Sequence, residues 1–141
     1  MVIVIVRWYI KTGREDDFRN LWINEMEPTI KEGLFREFFS KPIDTINDKY
    51  HTLDVESKHY TTFINVGIWD KVGDFDTAIG TFIPDRDKLD LAKHPEKYNK
   101  EIIEVFDFEF KLRERVVMAV ENDRIGNWTL PDATLINRLL K

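Results

Sequence analysis

The segment Tyr60–Asp70, YTTFINVGIWD, carries polar residues where a strand should be dry. Strand alternation puts Ile64, Val66 and Ile68 on one side, an apolar row expected to press on a core. The opposite row reads Phe63, Asn65, Gly67, Trp69. It sets an amide, a gap and an indole side by side between large aromatics. A buried amide left without partners costs about 1–3 kcal/mol, and a glycine inside a strand marks close approach of another group. Such a row can line a small pocket for a planar ligand. The plainer reading of the same residues has Asn65 bonding a neighbouring backbone and Trp69 serving as core.

Other constellations are thinner. His51 and His59 bracket a loop that also holds Asp54 and Glu56, a donor set that would suit Zn or Fe. Its spacing matches no recognised metal motif, so solvated histidines and no metal site are expected. Arg7 and Tyr9 share one row of the first strand with Ile3 and Ile5. Arg7 can neutralise an anionic ligand or pair with Glu37 across the sheet, and the ion pair is the stronger reading. Trp8 and Trp22 are read as core. The charged run Asp85–Lys93 reads as a solvated face, with a gating lid as the sharper alternative. There is no glycine-rich phosphate loop, no GxSxG elbow and no HExxH.

These residues need a scaffold, and 141 residues make one domain with a sizeable core, residues 1–141. The net charge of −5 and the lack of any Lys/Arg-rich run argue against nucleic acid. With no cysteine there is no disulfide, thiolate metal site or Cys nucleophile. The opening MVIVIV is too short and lacks the basic flank of a signal peptide or membrane span, so a soluble cytoplasmic protein is expected.

Val2–Ile10 is β-branched and aromatic throughout, a strand buried on both faces. Thr12 or Gly13 can cap the helix that follows, with Glu15, Asp16 and Asp17 in its first turn. Phe18, Leu21, Trp22 and Met26 mark its inner face, Pro28 is a kink point, and it fades near Lys31. A second strand spans Leu34–Lys41, with Phe35, Glu37 and Phe39 in one row and Leu34, Arg36 and Phe38 in the other. Ile43–His59 reads as a long loop. Strand three is Tyr60–Asp70, and Val72, Phe75, Ala78, Ile79 and Phe82 mark a short helix. Pro95 opens another helix with Tyr98, Ile102 and Ile103 inside. A long last strand runs from Phe106 to Val120 with a bend at Arg113–Arg115; a helix ending near Phe110 is the alternative at its start. A tail with Trp128 and a last helix from Pro131 forms a C-terminal extension.

The order β-α-β-β-α-β, with an insertion before the last strand, is the ferredoxin-like α+β arrangement: an antiparallel sheet with both helices on one face. Strands one, three and four are apolar or aromatic on both rows, so the second face needs a cover. A second copy of the chain is the simplest one, giving a homodimer.

The stretches VRWYIKTGREDDF, GLFREFFSKP, FINVGIWDKVGDF and RERVVMAVE together resemble the dimeric α+β barrel proteins of the antibiotic biosynthesis monooxygenase type. WDKVGDF is the most telling of them. The resemblance implies a barrel of two sheets from two chains, with a small-molecule pocket between each sheet and its helices. Some relatives are monooxygenases that need no cofactor and act on aromatic polyketides. Their pocket holds an Asn and, four residues on, a Trp, which correspond here to Asn65 and Trp69. On that reading Asn65 holds the substrate oxygen and Trp69 stacks on its ring as the catalytic pair. Arg7, Tyr9, Phe63, Gly67 and Phe75 are the substrate-binding candidates. The relatives' tyrosine six residues after the Trp is Phe75 here, which has no phenol; Tyr9, Tyr60 and Tyr98 are the candidates to replace it. Other relatives degrade haem with an Asn on strand one and a His soon after the Trp. Strand one has no Asn here, and the first His after Trp69 is His94. A non-catalytic ligand-binding dimer of the same fold is the alternative function.

Overall fold

A computed structural model describes residues 1–43, 55, 57–79, 93–97 and 107–130. The described elements are β1 (Val2–Lys11), α1 (Glu15–Asn24), β2 (Leu34–Ser40), β3 (Tyr60–Trp69), α2 (Val72–Ile79) and β4 (Glu109–Ala119), with a 3-10 turn at Pro95–Lys97 before β4. All pairings are antiparallel and the strand order is β2-β3-β1-β4. Among the described residues, α1, α2 and four strands in this order make the ferredoxin-like α+β fold.

Both helices lie on one face. Val4, Val6, Trp8 and Ile10 of β1 and Phe63 and Trp69 of β3 form a buried cluster with Phe18 and Leu21 of α1 and Phe75 and Ala78 of α2. Aromatic rings carry much of the α1 contact: Phe39 stacks between Trp22 (centroids 4.6 Å apart) and Phe63 (5.2 Å), and Phe18 tilts against Trp8, Phe39 and Phe63.

Strand parity is therefore the reverse of the simplest reading. The row Phe63, Asn65, Gly67, Trp69 faces the helices and is buried, while Ile64, Val66 and Ile68 face away from them and are half-buried. Apolarity alone cannot tell the two faces apart when both rows are hydrophobic. Strand two needs a second correction. The register shift between Leu34 and Arg36 leaves Phe35 extruded and 60% exposed, so Leu34 joins Glu37 and Phe39 on the helix side. Such a bulge inverts parity for every residue beyond it.

Helix α1 stops at Asn24 rather than near Lys31. The amides of Glu25 and Met26 both close on the Leu21 carbonyl, and Pro28 disfavours helical backbone just before it. Its start is Arg14, without a side-chain cap. Thr12 instead ties the turn to the foot of β3, through its N–H to the His59 carbonyl and its hydroxyl to the Lys58 carbonyl. Gly13 takes a positive φ of 91°, and its N–H donates to Glu15 at 2.8 Å. Thr61 also donates to Glu15, at 2.7 Å. Partial desolvation opposes them, yet these bonds hold the Glu15 carboxyl below its usual range.

The last strand starts at Glu109, with Asp107–Phe108 helical before it. Its register against β1 shifts between the Arg7–Glu114 and Tyr9–Lys111 pairs and again before Ile10–Glu109, so the irregularity spans Glu109–Glu114 and overlaps the start of the expected bend at Arg113–Arg115. Trp128 is almost fully exposed. The loop candidates His51, Asp54 and Glu56, the charged run up to residue 92, Tyr98, Ile102, Ile103 and the helix from Pro131 lie outside the described residues.

Candidate functional site

Cross-strand register brings three polar side chains together on the helix side of the sheet. Asn65 of β3 is opposite Val6 of β1 and Phe39 of β2, and Glu37 of β2 is opposite Gly67. The Trp8 indole N–H donates to Asn65 Oδ1 at 2.7 Å, and Asn65 Nδ2 donates to Glu37 Oε1 at 3.1 Å. An indole is only a donor and an ionised carboxylate only an acceptor. Between them they fix the amide: oxygen towards Trp8, amino group towards Glu37.

Asn65 is buried, at 6% exposure, and Glu37 is half-buried at the more open β2 side. Burial pushes the Glu37 carboxyl above its usual range. The Asn65 hydrogen bond and the positive charge of Lys31 pull the other way without cancelling it. A carboxylate whose proton affinity is raised by burial is better suited to accept a proton, and the amide beside it can donate to an oxygen gaining charge.

Gly67 explains the indole next to it. A Cβ at position 67 would lie 2.7 Å from Trp69 Nε1, so Trp69 folds back along its own strand and fills the gap read in the sequence. Its indole N–H thereby lies over the residue that faces Glu37 across the sheet. The rings of Trp69 and Phe75 meet edge-to-face with their centres 5.7 Å apart. Phe63, Asn65, Gly67, Trp69 and Phe75 are thus brought together on one face.

Arg7 and Tyr9 are not. They point to the helix-free face, and β1 and β2 are not neighbours, so the expected Arg7–Glu37 pair does not form. Arg7 faces Ile64 and Glu114 across the sheet, and its guanidinium lies 4.7 Å from the Tyr9 ring centre. Lys111 approaches the same ring at 4.1 Å, and Tyr60 meets it edge-on. Tyr60 therefore also stands away from Asn65. His59 stacks on Phe110 at 5.6 Å. Among the described residues no group of three His, Asp or Glu side chains could hold a metal ion, and no helix is long and apolar enough to cross a membrane.

Two members of the site escaped the sequence reading. Trp8 was visible only as core, and Glu37 only as a partner for Arg7. The available signal was a lone carboxylate in the aromatic strand LFREFFS, and the bulge at Phe35 hid the face it takes.

Comparison with known proteins identifies the fold. A monooxygenase from Streptomyces coelicolor, solved in complex with nanaomycin D, matches over 89% of this chain and 92% of its own, with a TM-score of 0.51 and 11% identity. A crystal structure of an antibiotic biosynthesis monooxygenase is 12% identical, with a TM-score of 0.48 over 86% of this chain and 100% of that one. No family model matches the sequence, and neither does any curated protein. At 11% identity the likeness to the Streptomyces coelicolor protein is one of fold.

Proposed function

We propose that this chain is a monooxygenase of small aromatic or enolisable molecules that needs no metal or flavin, acting as a cytoplasmic homodimer. The observation that carries the reading is the Asn65–Glu37 pair, a fixed amide donor 3.1 Å from a carboxylate of raised proton affinity. The fold shared with a monooxygenase solved in complex with nanaomycin D supports it.

Glu37 takes a proton from an acidic CH2 held between two aromatic rings that are also joined through a carbonyl, and Asn65 Nδ2 donates to the carbonyl oxygen that gains the charge. The carbanion passes an electron pair to O2 and forms a C–O bond. Glu37 returns its proton to the outer oxygen of the resulting peroxide. Loss of water, with the second C–H proton, leaves a carbonyl. One oxygen atom enters the product and the other leaves as water, so no external reductant is consumed. Trp69 supplies an aromatic surface for the substrate ring.

The dimer reading rests on the helix-free face. Ile3, Ile5, Phe38, Ile64, Val66 and Ile68 share it with the exposed Val116 and Met118. A contiguous apolar sheet face of this kind marks an interface, and an obligate one buries about 2,000 Å² or more in total.

A ligand-binding dimer without catalysis is favoured by one feature: both ends of Asn65 are already bonded inside the protein. Oxygen uptake with 1,8-dihydroxyanthrone as probe separates the two. Uptake equimolar with quinone formed, lost in Glu37→Gln, is the expected result. Binding of the probe without uptake above the buffer rate selects the binder.

A further inference from the structure

The contacts around Asn65 continue beyond Trp8. The Arg113 guanidinium of β4 lies over the Trp8 ring, 4.5 Å from its centre, and Glu109 Oε1 lies 2.8 Å from Arg113 Nε. Trp8, Arg113 and Glu109 are all buried, with exposures of 4%, 8% and 2%. A line of contacts thus crosses all four strands: Glu109 and Arg113 on β4, Trp8 on β1, Asn65 on β3, Glu37 on β2.

We infer that Arg113 is a positioning residue for the Asn65–Glu37 pair, acting through the Trp8 indole. A cation over an indole face is held by the ring quadrupole and draws electron density from the ring, which strengthens the N–H as a donor. In a dry setting this field is little screened. The Trp8–Asn65 bond, at 2.7 Å, is at the short end of the N–H···O range. An amide whose oxygen accepts a strong bond is itself a stronger donor at nitrogen, because hydrogen bonds in series polarise one another. Asn65 Nδ2 then holds the ionised form of Glu37 more firmly, against the burial that disfavours it. The charge acting on Glu37 from its own side is Lys31, which is itself paired with Glu27. Arg113 is rooted on β4, at the opposite edge of the sheet from β2, and Glu109 at 2.8 Å offsets its charge, so its direct field at Glu37 is weak beside the relay. Glu109 moderates that cation. The bearing on catalysis rests on Glu37 being the base; the relay itself does not.

The test follows the Trp8 indole N–H resonance and the Glu37 carboxyl titration by NMR in the intact protein without ligand. Arg113→Met should move the indole proton upfield and raise the Glu37 midpoint by on the order of a few tenths of a pH unit. Arg113→Lys, which keeps the charge but not the planar stack, should fall between it and the parent. Glu109→Gln, which leaves the cation less neutralised, should move both signals the opposite way. In a Trp8→Phe background, neither change should alter the Glu37 midpoint. Movement of that midpoint by the same amount with Phe at position 8 would assign the effect to a direct field and overturn the inference. So would an unmoved indole proton in Glu109→Gln, which decides the matter alone where Arg113→Met or Trp8→Phe does not fold. No substrate is involved, so the relay can fail while oxygen uptake stands, and the reverse.

Discussion

Trp8 Nε1 and Asn65 Oδ1, 57 residues apart in the chain, meet at 2.7 Å on the helix side of the sheet. The bond makes Trp8 more than a space-filling residue. It satisfies the acceptor end of a buried amide and decides which end faces Glu37. Trp8→Phe keeps much of the packing with Phe18 but removes the donor. It should cost about 1–3 kcal/mol for the unsatisfied oxygen, read as a lower urea midpoint with an unchanged slope. A variant as stable as the parent would show that Asn65 finds another donor.

Asn65 itself is bonded at both ends by side chains, so its removal leaves two groups without a partner. Asn65→Ala should lose at least about 1–3 kcal/mol, because water enters a site at 6% exposure poorly. Asn65→Leu should do no better, since it restores volume and neither hydrogen bond. Chemical denaturation of both variants, beside the affinity for 1,8-dihydroxyanthrone, separates stability from binding. A stability equal to the parent's, with binding lost, would assign Asn65 wholly to the ligand.

The contrast between Asn65 and Glu37 shows what the sequence could and could not disclose. Period-2 alternation put Phe63, Asn65, Gly67 and Trp69 on one face, because β3 runs from Tyr60 to Trp69 without a break in register against β1. It could not say which face met the helices, since Ile64, Val66 and Ile68 are as hydrophobic as the row that does. Strand β2 was legible as a strand, yet the bulge at Phe35 moved Leu34 to the side of Glu37 and Phe39. Arg7 and Glu37 looked like partners only while the strand order was unknown. That order, with β3 between β1 and β2, depends on contacts between distant segments that no local pattern contains.

Gly67 is tested by the smallest possible addition. The Cβ of Gly67→Ala would sit 2.7 Å from Trp69 Nε1, a rigid ring packed against Phe75. The indole must shift, and overpacking of this kind costs about 1–3 kcal/mol. A shift in Trp69 fluorescence should accompany it, assigned by comparison with Trp69→Phe. Ala tolerated with no change in either signal would place Trp69 away from Gly67.

The helix-free face makes a prediction about assembly. Val66 is near the middle of that face, opposite Ile5 and Phe38. Val66→Lys puts a charge into the proposed interface while leaving the helix-side core untouched. Sedimentation equilibrium at low micromolar concentration should give a dimer for the parent and a monomer for the variant. A stable, well-folded parent monomer would refute the barrel pairing.

Glu37 gives a pH dependence whose sign follows from its environment. Burial raises its folded-state affinity for a proton above that of the unfolded chain, despite Asn65 and Lys31. The folded protein therefore holds more protons than the unfolded one between the two values, and stability falls as pH rises through that window. The stabilisation is complete below the ordinary carboxylate range and lost above the raised value. Glu37→Gln cannot ionise, and its carbonyl can still accept from Asn65 Nδ2. The variant should lose this part of the pH dependence and, at neutral pH, be at least as stable as the parent. Under the proposed chemistry it should also lose oxygen uptake, since an amide does not take the substrate proton. Thermal melts of parent and variant from the ordinary carboxylate range of about pH 4 up to about pH 8, set beside the uptake assay, test both halves. A parent whose stability rises through that window relative to Glu37→Gln would mean that the carboxylate is favoured in the fold, making Glu37 a structural anion rather than a base.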